Sequence, residues 1–278
     1  MSLFKGFSKA AIVYFYLISE AEFTIRLIAN CSCPKPDVST MLKSKVRIGE
    51  RKKFVKTTEA PTVSHALEDY LKSIYQLAEE SEPVIAARIA AETGVSPSTI
   101  FTTLQRLARE GYVTINRHKE IHLTADGKTV AEKIVRRHFL TERFLTDLLG
   151  LDWGRAHQEA HRLEHAISQD VEERLAKLLS NPTTCPHGNP IPGALTTPSP
   201  KTIPLNEASD GQSVELDFIT EGGERDVRLL RFLQEHGMRP GAKVQILDVA
   251  PSLGMMTLKV GEDAFSLGIE AAKKIRVH

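Results

Sequence analysis

Cysteine is scarce in this chain: Cys31, Cys33 and Cys185 are the only three in 278 residues. So few and so scattered, they build no disulfide framework, and a reducing cytoplasm is the expected setting. Long apolar runs are short supply too. Ala11 to Ile18 follows Lys5 and Lys9 as a signal-peptide core would, but no small-residue cleavage site comes after it. Glu20, Glu22 and Arg26 then stop it well below the roughly 20 apolar residues of a membrane helix, so neither export nor spanning is expected. Excess charge of one sign is also missing, with 36 lysines and arginines against 35 aspartates and glutamates. The whole-chain charge therefore names no partner, and local charge must be read instead. At 41% hydrophobic residues the chain is not disordered, and its length allows two or three small domains.

What is present begins with His157-Gln-Glu-Ala-His161-Arg-Leu-Glu164-His165. On an α-helix, offsets of four, seven and eight confine these three imidazoles and one carboxylate to an arc of about 100°. Leu163, Ile167, Val171, Leu175 and Leu178 follow helical spacing on a neighbouring stripe, so one helix is expected to bury that stripe and aim the imidazoles elsewhere. Imidazole with carboxylate and no thiolate suits manganese, ferrous iron, cobalt or zinc, and disfavours calcium. A lone histidine here would be an ordinary solvated residue; the set points to a metal. His161-Arg-Leu-Glu164-His165 also fits the H-x-x-E-H pattern of inverted zinc peptidases, which leaves a zinc hydrolase as the competing reading.

Upstream, the sequence decides between them. Ser64 to Leu77 places Leu67, Tyr70, Leu71, Ile74 and Leu77 on one stripe of an amphipathic helix, with Asp69 off it. Val84 to Thr93, the turn Gly94-Val-Ser96, and Pro97 to Glu110 read as helix, tight turn, helix: Ser96 is the N-cap, Pro97 takes the first position, and Gly111 is the stop. Two short β-type runs around a basic turn follow, Tyr112 to Thr124, as in a winged helix-turn-helix. Between Val84 and Arg137 nine basic residues face five acidic ones, a charge that can meet phosphates. Ser96, Ser98, Thr99, Thr102 and Thr103 at the start of the second helix are short and polar enough to reach base edges. Arg106, Arg109, Arg117 and Lys119 are placed to hold phosphates. A peptidase has no need of this module, so double-stranded operator DNA is the expected partner and catalysis is not expected.

Thr124-Ala-Asp-Gly127 is expected to break the chain before a long helix, Lys128 to Leu149, on which His138 and Glu142 stand four apart. Gly150 to Asp152 separates it from the histidine-rich stretch. Residues 180 to 211 are rich in proline and glycine and read as a loop and a linker, in which Cys185-Pro-His187 is taken as structural rather than as a metal pair. Strand-like runs at Ser213 to Ile219, Lys243 to Val249, Met256 to Val260, Ala264 to Gly268 and Lys274 to Val277 then suggest a five-stranded barrel with a helix from Asp226 to His236. No aromatic groove for proline-rich peptides is evident in it.

Residues 64 to 278 resemble the metal-dependent repressors of the diphtheria toxin repressor and manganese transport regulator family. The matching stretches are Glu68 to Tyr75, Gly94 to Thr99, Leu123 to Gly127, Arg137 to Glu142, His157 to His165 and Gly188 to Gly193. The resemblance implies one ligand set at Asp69, His161, Glu164 and His165 and an ancillary set at His138, Glu142 and His157, joined by Asp226 from a C-terminal SH3-like (FeoA-type) domain. Lys72 stands where manganese members carry a further glutamate, and Leu229 where a glutamine is usual. His161 matches neither the cysteine of iron members nor the glutamate of manganese members. Aspartate at 69 and the lack of sulfur in that set favour Mn2+ over Fe2+.

The expected organisation is α+β and multidomain: a basic leader at 1–62, a winged helix-turn-helix at 63–127, a helical metal-binding and dimerisation domain at 128–195, a linker at 196–211 and a small SH3-like β-barrel at 212–278. The leader carries Lys43, Lys45, Arg47, Arg51, Lys52, Lys53 and Lys56. Met41 would serve as a start, so residues 1 to 40 are expected to be a mis-assigned extension. The expected activity is that of a cytoplasmic homodimeric repressor of metal-uptake genes, with no membrane partner and no small-molecule substrate.

Overall fold

The computed structural model describes residues 63–79, 82–194 and 201–278, and these belong to one compact unit running from Ala60 to His278. The expectations for residues 1–62 lie outside the described residues. Among the described residues no helix is long and apolar enough to cross a membrane.

Three helices and a hairpin come first: α1 (His65–Ala78), α2 (Ala86–Thr93), α3 (Pro97–Arg109), β1 (Val113–Ile115) and β2 (Ile121–Leu123). Leu67, Leu71, Ile74 and Leu77 of α1 meet Ile89 of α2 and Ile100, Leu104 and Leu107 of α3 in one core. Each such side chain contributes about 1.5–3 kcal/mol of burial. Gly94 turns the chain between α2 and α3 at φ +67°, in the left-handed region that glycine adopts freely. Ser96 caps α3 by accepting from the Thr99 amide at 3.3 Å.

The long helix α4 (Ala125–Arg143) begins three residues before the expected Lys128. Thr124 starts it as N-cap, accepting from Gly127 N at 3.1 Å, so this segment opens the helix instead of breaking it. Gly127 is needed there because a Cβ would lie 2.0 Å from the Tyr112 carbonyl oxygen. A π-helical turn, Phe144–Leu148, carries the chain onward.

The single helix expected from His157 through Leu178 is two. Helix α5 (Trp153–Leu163) ends just before Glu164, and α6 (Gln169–Leu178) restarts with Ser168 as N-cap and Asp170 and Glu172 in its first turn. The stripe expected to be buried is largely exposed, with Leu163 at 42%, Val171 at 49% and Leu178 at 62%.

The C-terminal part is a six-stranded antiparallel sheet in the order β3-β8-β4-β5-β6-β7: β3 (Ile203–Pro204), β4 (Ser213–Ile219), β5 (Lys243–Ala250), β6 (Met255–Val260), β7 (Asp263–Gly268) and β8 (Ile275–Val277). Three short helices interrupt it, α7 (Glu221–Glu224), α8 (Val227–Glu235) and α9 (Ile269–Ala272). Five of the strands were expected; the sixth, β3, pairs with β8 and comes from residues expected to be linker. Trp153, at the start of α5, lies in the same core as Leu216, Leu230, Ile246 and Leu258, so the helical part and the barrel share apolar packing. Gly154 lets α5 approach closely, since a Cβ there would lie 2.6 Å from Val227 Cγ1.

Candidate metal centres and nucleic-acid interface

Two groups of ligand-type side chains form where α1, α4, α5 and the barrel meet. The first joins Asp69 on α1 to His161, Glu164 and His165 at the end of α5. Nε2 of His165 lies 2.9 Å from Asp69 Oδ1, and its Nδ1 lies 2.8 Å from Glu68 Oε2. His161 Nδ1 is 3.1 Å from Glu164 Oε1. Asp69, His161 and Glu164 each offer an atom within 4.8 Å of the others. The four residues expected here are thus together, with the imidazole of His65 stacked on that of His165 at 4.7 Å.

Glu164 is fully buried and reaches in both directions. Its Oε2 accepts from Lys72 Nζ at 2.9 Å and lies 2.5 Å from His138 Nδ1. Burial works against its charge, but Lys72, His138 and His161 hold the carboxyl below its usual range. Burial also works against the charge of Lys72, and Glu164 and Glu221 keep its pKa above the ordinary value.

The second group is deeper. His138 and Glu142 on α4 and His157 on α5 meet as expected, with His138 Nε2 3.0 Å and His157 Nδ1 2.9 Å from Glu142 Oε1. The barrel's carboxylate is Glu224, however, and not Asp226. Asp226 is the N-cap of α8, its Oδ1 accepting from Leu229 N at 3.1 Å, and that local bond turns it away from the cluster. Glu224 Oε2 lies 3.7 Å from His157 Nδ1. Leu229 is buried in the barrel core.

Cys185 and His187, taken from sequence as loop residues, belong to the same cluster. His187 Nδ1 lies 3.1 Å from Glu224 Oε1 and 3.5 Å from Glu142 Oε2, and Cys185 Sγ lies 3.7 Å from Glu224 Oε1. The loop is pinned against β4: Ile219 N donates to the His187 carbonyl at 2.9 Å and Asn189 Nδ2 to the Ile219 carbonyl at 2.7 Å. At Gly188, φ is +97° and a Cβ would lie 2.2 Å from the Asp217 carbonyl oxygen, so only glycine allows the loop this close.

The electrostatics are those of a site with protons in place of cations. Burial and Lys72 oppose the charge of His138, yet Glu142 and Glu164 raise its pKa to about 9. Burial would raise Glu142, but His138 and His187 hold it well below the usual carboxylate range. His187 is held well above its usual value by Glu224 and Glu142 against burial. Burial and the neighbouring Glu142 raise Glu224, against the pull of His187, and burial with Glu224 pushes the Cys185 thiol up to about 12. Glu142 Oε2, Glu224 Oε2 and His187 Nε2 are buried without a hydrogen-bond partner. Buried polar atoms of this kind normally have one. Imidazole, carboxylate and thiol atoms so placed fit a divalent first-row ion.

The DNA-facing residues fall as the helix-turn-helix reading requires. Ser96, Ser98, Thr99, Thr102, Arg106 and Arg109 are exposed on α3, Thr103 is half-buried, and Arg117 and Lys119 are exposed in the turn between β1 and β2. Arg106 is paired with Glu110 at 2.8 Å. Phe101 was not singled out from sequence, yet it stands 61% exposed beside Thr102.

Comparisons with known proteins agree with this layout. The N-terminal DNA binding domain of iron dependent repressors matches residues 62–121, their metal binding and dimerisation domain residues 124–193, and the FeoA domain residues 203–278. The chain is 36% identical to the iron-dependent repressor IdeR of Mycobacterium leprae over 220 residues, covering 76% of this chain and 95% of the relative. It is 33% identical to the diphtheria toxin repressor of Corynebacterium diphtheriae over 200 residues, covering 65% and 84%. Among solved structures, a manganese-dependent transcriptional repressor in complex with manganese superposes with a TM-score of 0.68 at 33% identity, covering 76% of this chain and 98% of the other. ScaR with bound Cd2+ gives 0.64 at 29% identity over 76% and 98%. A DNA-binding module, two buried and half-buried ligand clusters and a C-terminal barrel thus occur in the order of these relatives, and the chain belongs to the iron-dependent repressor family of the diphtheria toxin repressor.

Proposed function

We propose that the chain is a cytoplasmic homodimeric repressor that binds a palindromic operator of metal-uptake genes when Mn2+ or Fe2+ is held by Asp69, His161, Glu164 and His165. The observation that carries this reading is the meeting of Asp69 and His165 at 2.9 Å across 96 positions of sequence. Asp69 sits on α1, whose apolar side packs on α2 and α3. His165 sits at the end of α5, in the part similar to a dimerisation domain. A divalent ion there would supply positive charge and directional bonds between a carboxylate and imidazoles that otherwise interact through shared protons.

Joining α1 to α5 fixes where α3 stands relative to the dimer. Two half-sites about 34–36 Å apart accept only one separation of the two recognition helices. Asp69 and His165 therefore bias an existing equilibrium toward the competent arrangement. His138, Glu142, His157 and Glu224 hold α4, α5 and the barrel together behind that joint, where the same ions would bind. Leu148, Leu149, Leu163, Val171 and Leu178 leave apolar surface exposed in the helical part, as a dimer face requires. The hydrolase reading of His161-x-x-Glu164-His165 lacks support, because Glu164 is buried and taken up by Lys72 and His138 and is not placed to activate a water.

Gel-shift titration of operator DNA with and without Mn2+ tests the proposal on Asp69→Ala and His165→Ala. Both variants are expected to remain folded dimers and to lose the metal-stimulated part of binding. Operator affinity that stays metal-stimulated in both would overturn it.

A further inference from the structure

The deep cluster has more donor atoms than one ion can use. Glu142 and Glu224 are both fully buried, and each spreads its two carboxylate oxygens toward different neighbours. On one side stand His138 Nε2, Glu142 Oε1, His157 Nδ1 and Glu224 Oε2, which fall within 4.8 Å of one another. On the other side stand Glu142, Cys185, His187 and Glu224, also within 4.8 Å. There the near oxygens are Glu142 Oε2, 3.5 Å from His187 Nδ1, and Glu224 Oε1, 3.1 Å from the same nitrogen.

We infer that this cluster is a two-ion centre, in which Glu142 and Glu224 bridge one ion held by His138 and His157 and a second held by Cys185 and His187. Eight candidate ligand atoms exceed the about four to six that a first-row divalent ion takes, but they divide into two sets of four. Two-metal sites elsewhere place their ions about 3.5–4 Å apart, the separation a bridging carboxylate provides. Three of the buried polar atoms here, Glu142 Oε2, Glu224 Oε2 and His187 Nε2, have no hydrogen-bond partner, and the first two are the oxygens a bridge would engage. Asn189 Nδ2 donates to Glu224 Oε1 at 2.6 Å, which fixes the carboxylate's rotation while leaving a second lone pair.

The two positions differ in softness. The His138 and His157 side offers only nitrogen and oxygen, which suits Mn2+ or Fe2+, whereas the thiolate of Cys185 favours Zn2+, Co2+ or Fe2+ on the other. The inference rests on the reading that this chain binds divalent ions, but it concerns their number and place and not operator binding.

The experiment is a metal count on the full-length chain carrying Asp69→Ala and His161→Ala, which disables the shallower cluster. Loaded anaerobically with Co2+ and freed of excess, it is expected to hold two ions per chain and to show a thiolate-to-cobalt charge-transfer band. Adding Cys185→Ser should remove the band and lower the count to one. Mn2+-loaded protein with Cys185 intact should give the electron paramagnetic resonance pattern of an exchange-coupled pair when saturated. One Co2+ per chain before Cys185 is changed, a count unchanged by Cys185→Ser, or an uncoupled Mn2+ signal at saturation would each overturn the two-ion centre. Operator binding by the unmutated chain, measured in parallel with and without Mn2+, reports on the repressor reading separately.

Discussion

Lys72 and Glu164 lie 92 positions apart and form a 2.9 Å ion pair with almost no exposure on either side chain. The lysine stands on α1 and the glutamate just past α5, so this pair spans the same gap as Asp69 and His165 but does so with a permanent protein cation. Lys72→Met would leave Glu164 buried with only His138 and His161 as cationic neighbours. Breaking a buried pair from one side costs about 3–5 kcal/mol. The expected loss is at the lower end, since two imidazoles remain, and it should shrink when Mn2+ is present and supplies the missing charge. Urea denaturation with chelator and with Mn2+ measures both values; equal losses in the two conditions would show that Glu164 takes no part in binding the ion.

Gly188→Ala is expected to unseat the loop carrying Cys185 and His187. The added methyl would meet the Asp217 carbonyl oxygen at 2.2 Å, against backbone that has little room to give, and the residue would also be held at φ +97°. The variant should lose metal from the deep cluster and lose stability by roughly 2 kcal/mol or more. Gly211→Ala is the control, for its φ of +75° imposes a similar backbone strain with nothing within 4 Å of the added carbon. Metal content by mass spectrometry should fall only in the Gly188 variant.

The sequence made the DNA-binding part legible because its signals are local. Ser96, Pro97 and Gly94 specify the turn and helix start within a few residues, and the structure carries the Ser96 cap as expected. The histidine-rich stretch was legible for its ligand types but misleading for its length, since helical offsets alone continue through Glu164 to Leu178. Ser168 with Asp170 and Glu172 was the signal of a fresh helix start and of a break before it. Glu224 had no such signal. It rides on a four-residue helix, too short to show a period, while Asp226 nearby occupied the position the family resemblance pointed to. Cys185 and His187 belong to the cluster only because Gly188 and Asn189 dock their loop on β4, a contact between distant parts of the chain that spacing cannot reveal.

Trp153→Ala should loosen the barrel from the helical part. Trp153 is 5% exposed among barrel side chains, and its backbone amide donates to Gln234 Oε1 at 3.0 Å. Truncating a buried tryptophan costs about 3–5 kcal/mol. Because Glu224 reaches the deep cluster from the barrel, metal in that cluster should fall along with stability, and proteolysis between residues 194 and 203 should speed up. Cleavage at the parent rate would mean that the polar contacts Gln76 to Glu221, at 2.7 Å, and Arg225 to Glu92, at 2.8 Å, suffice to keep the barrel docked.

Phe101→Ala separates DNA recognition from folding and from metal. The ring is 61% exposed on α3, so its removal should change stability by no more than about 0.5 kcal/mol. An exposed aromatic beside Thr102 is suited to lie against a thymine methyl in the major groove, a contact of the kind worth about 1–3 kcal/mol of base discrimination when well placed. Operator affinity is therefore expected to drop about tenfold, with the loss concentrated at one base position when each base pair is changed in turn, and with metal affinity untouched. Thr99→Ala should behave likewise without the methyl-specific pattern. A uniform loss across all sequences would instead place Phe101 against the sugar-phosphate backbone, and a loss of metal binding would mean that α3 and the ligand clusters cannot be perturbed independently.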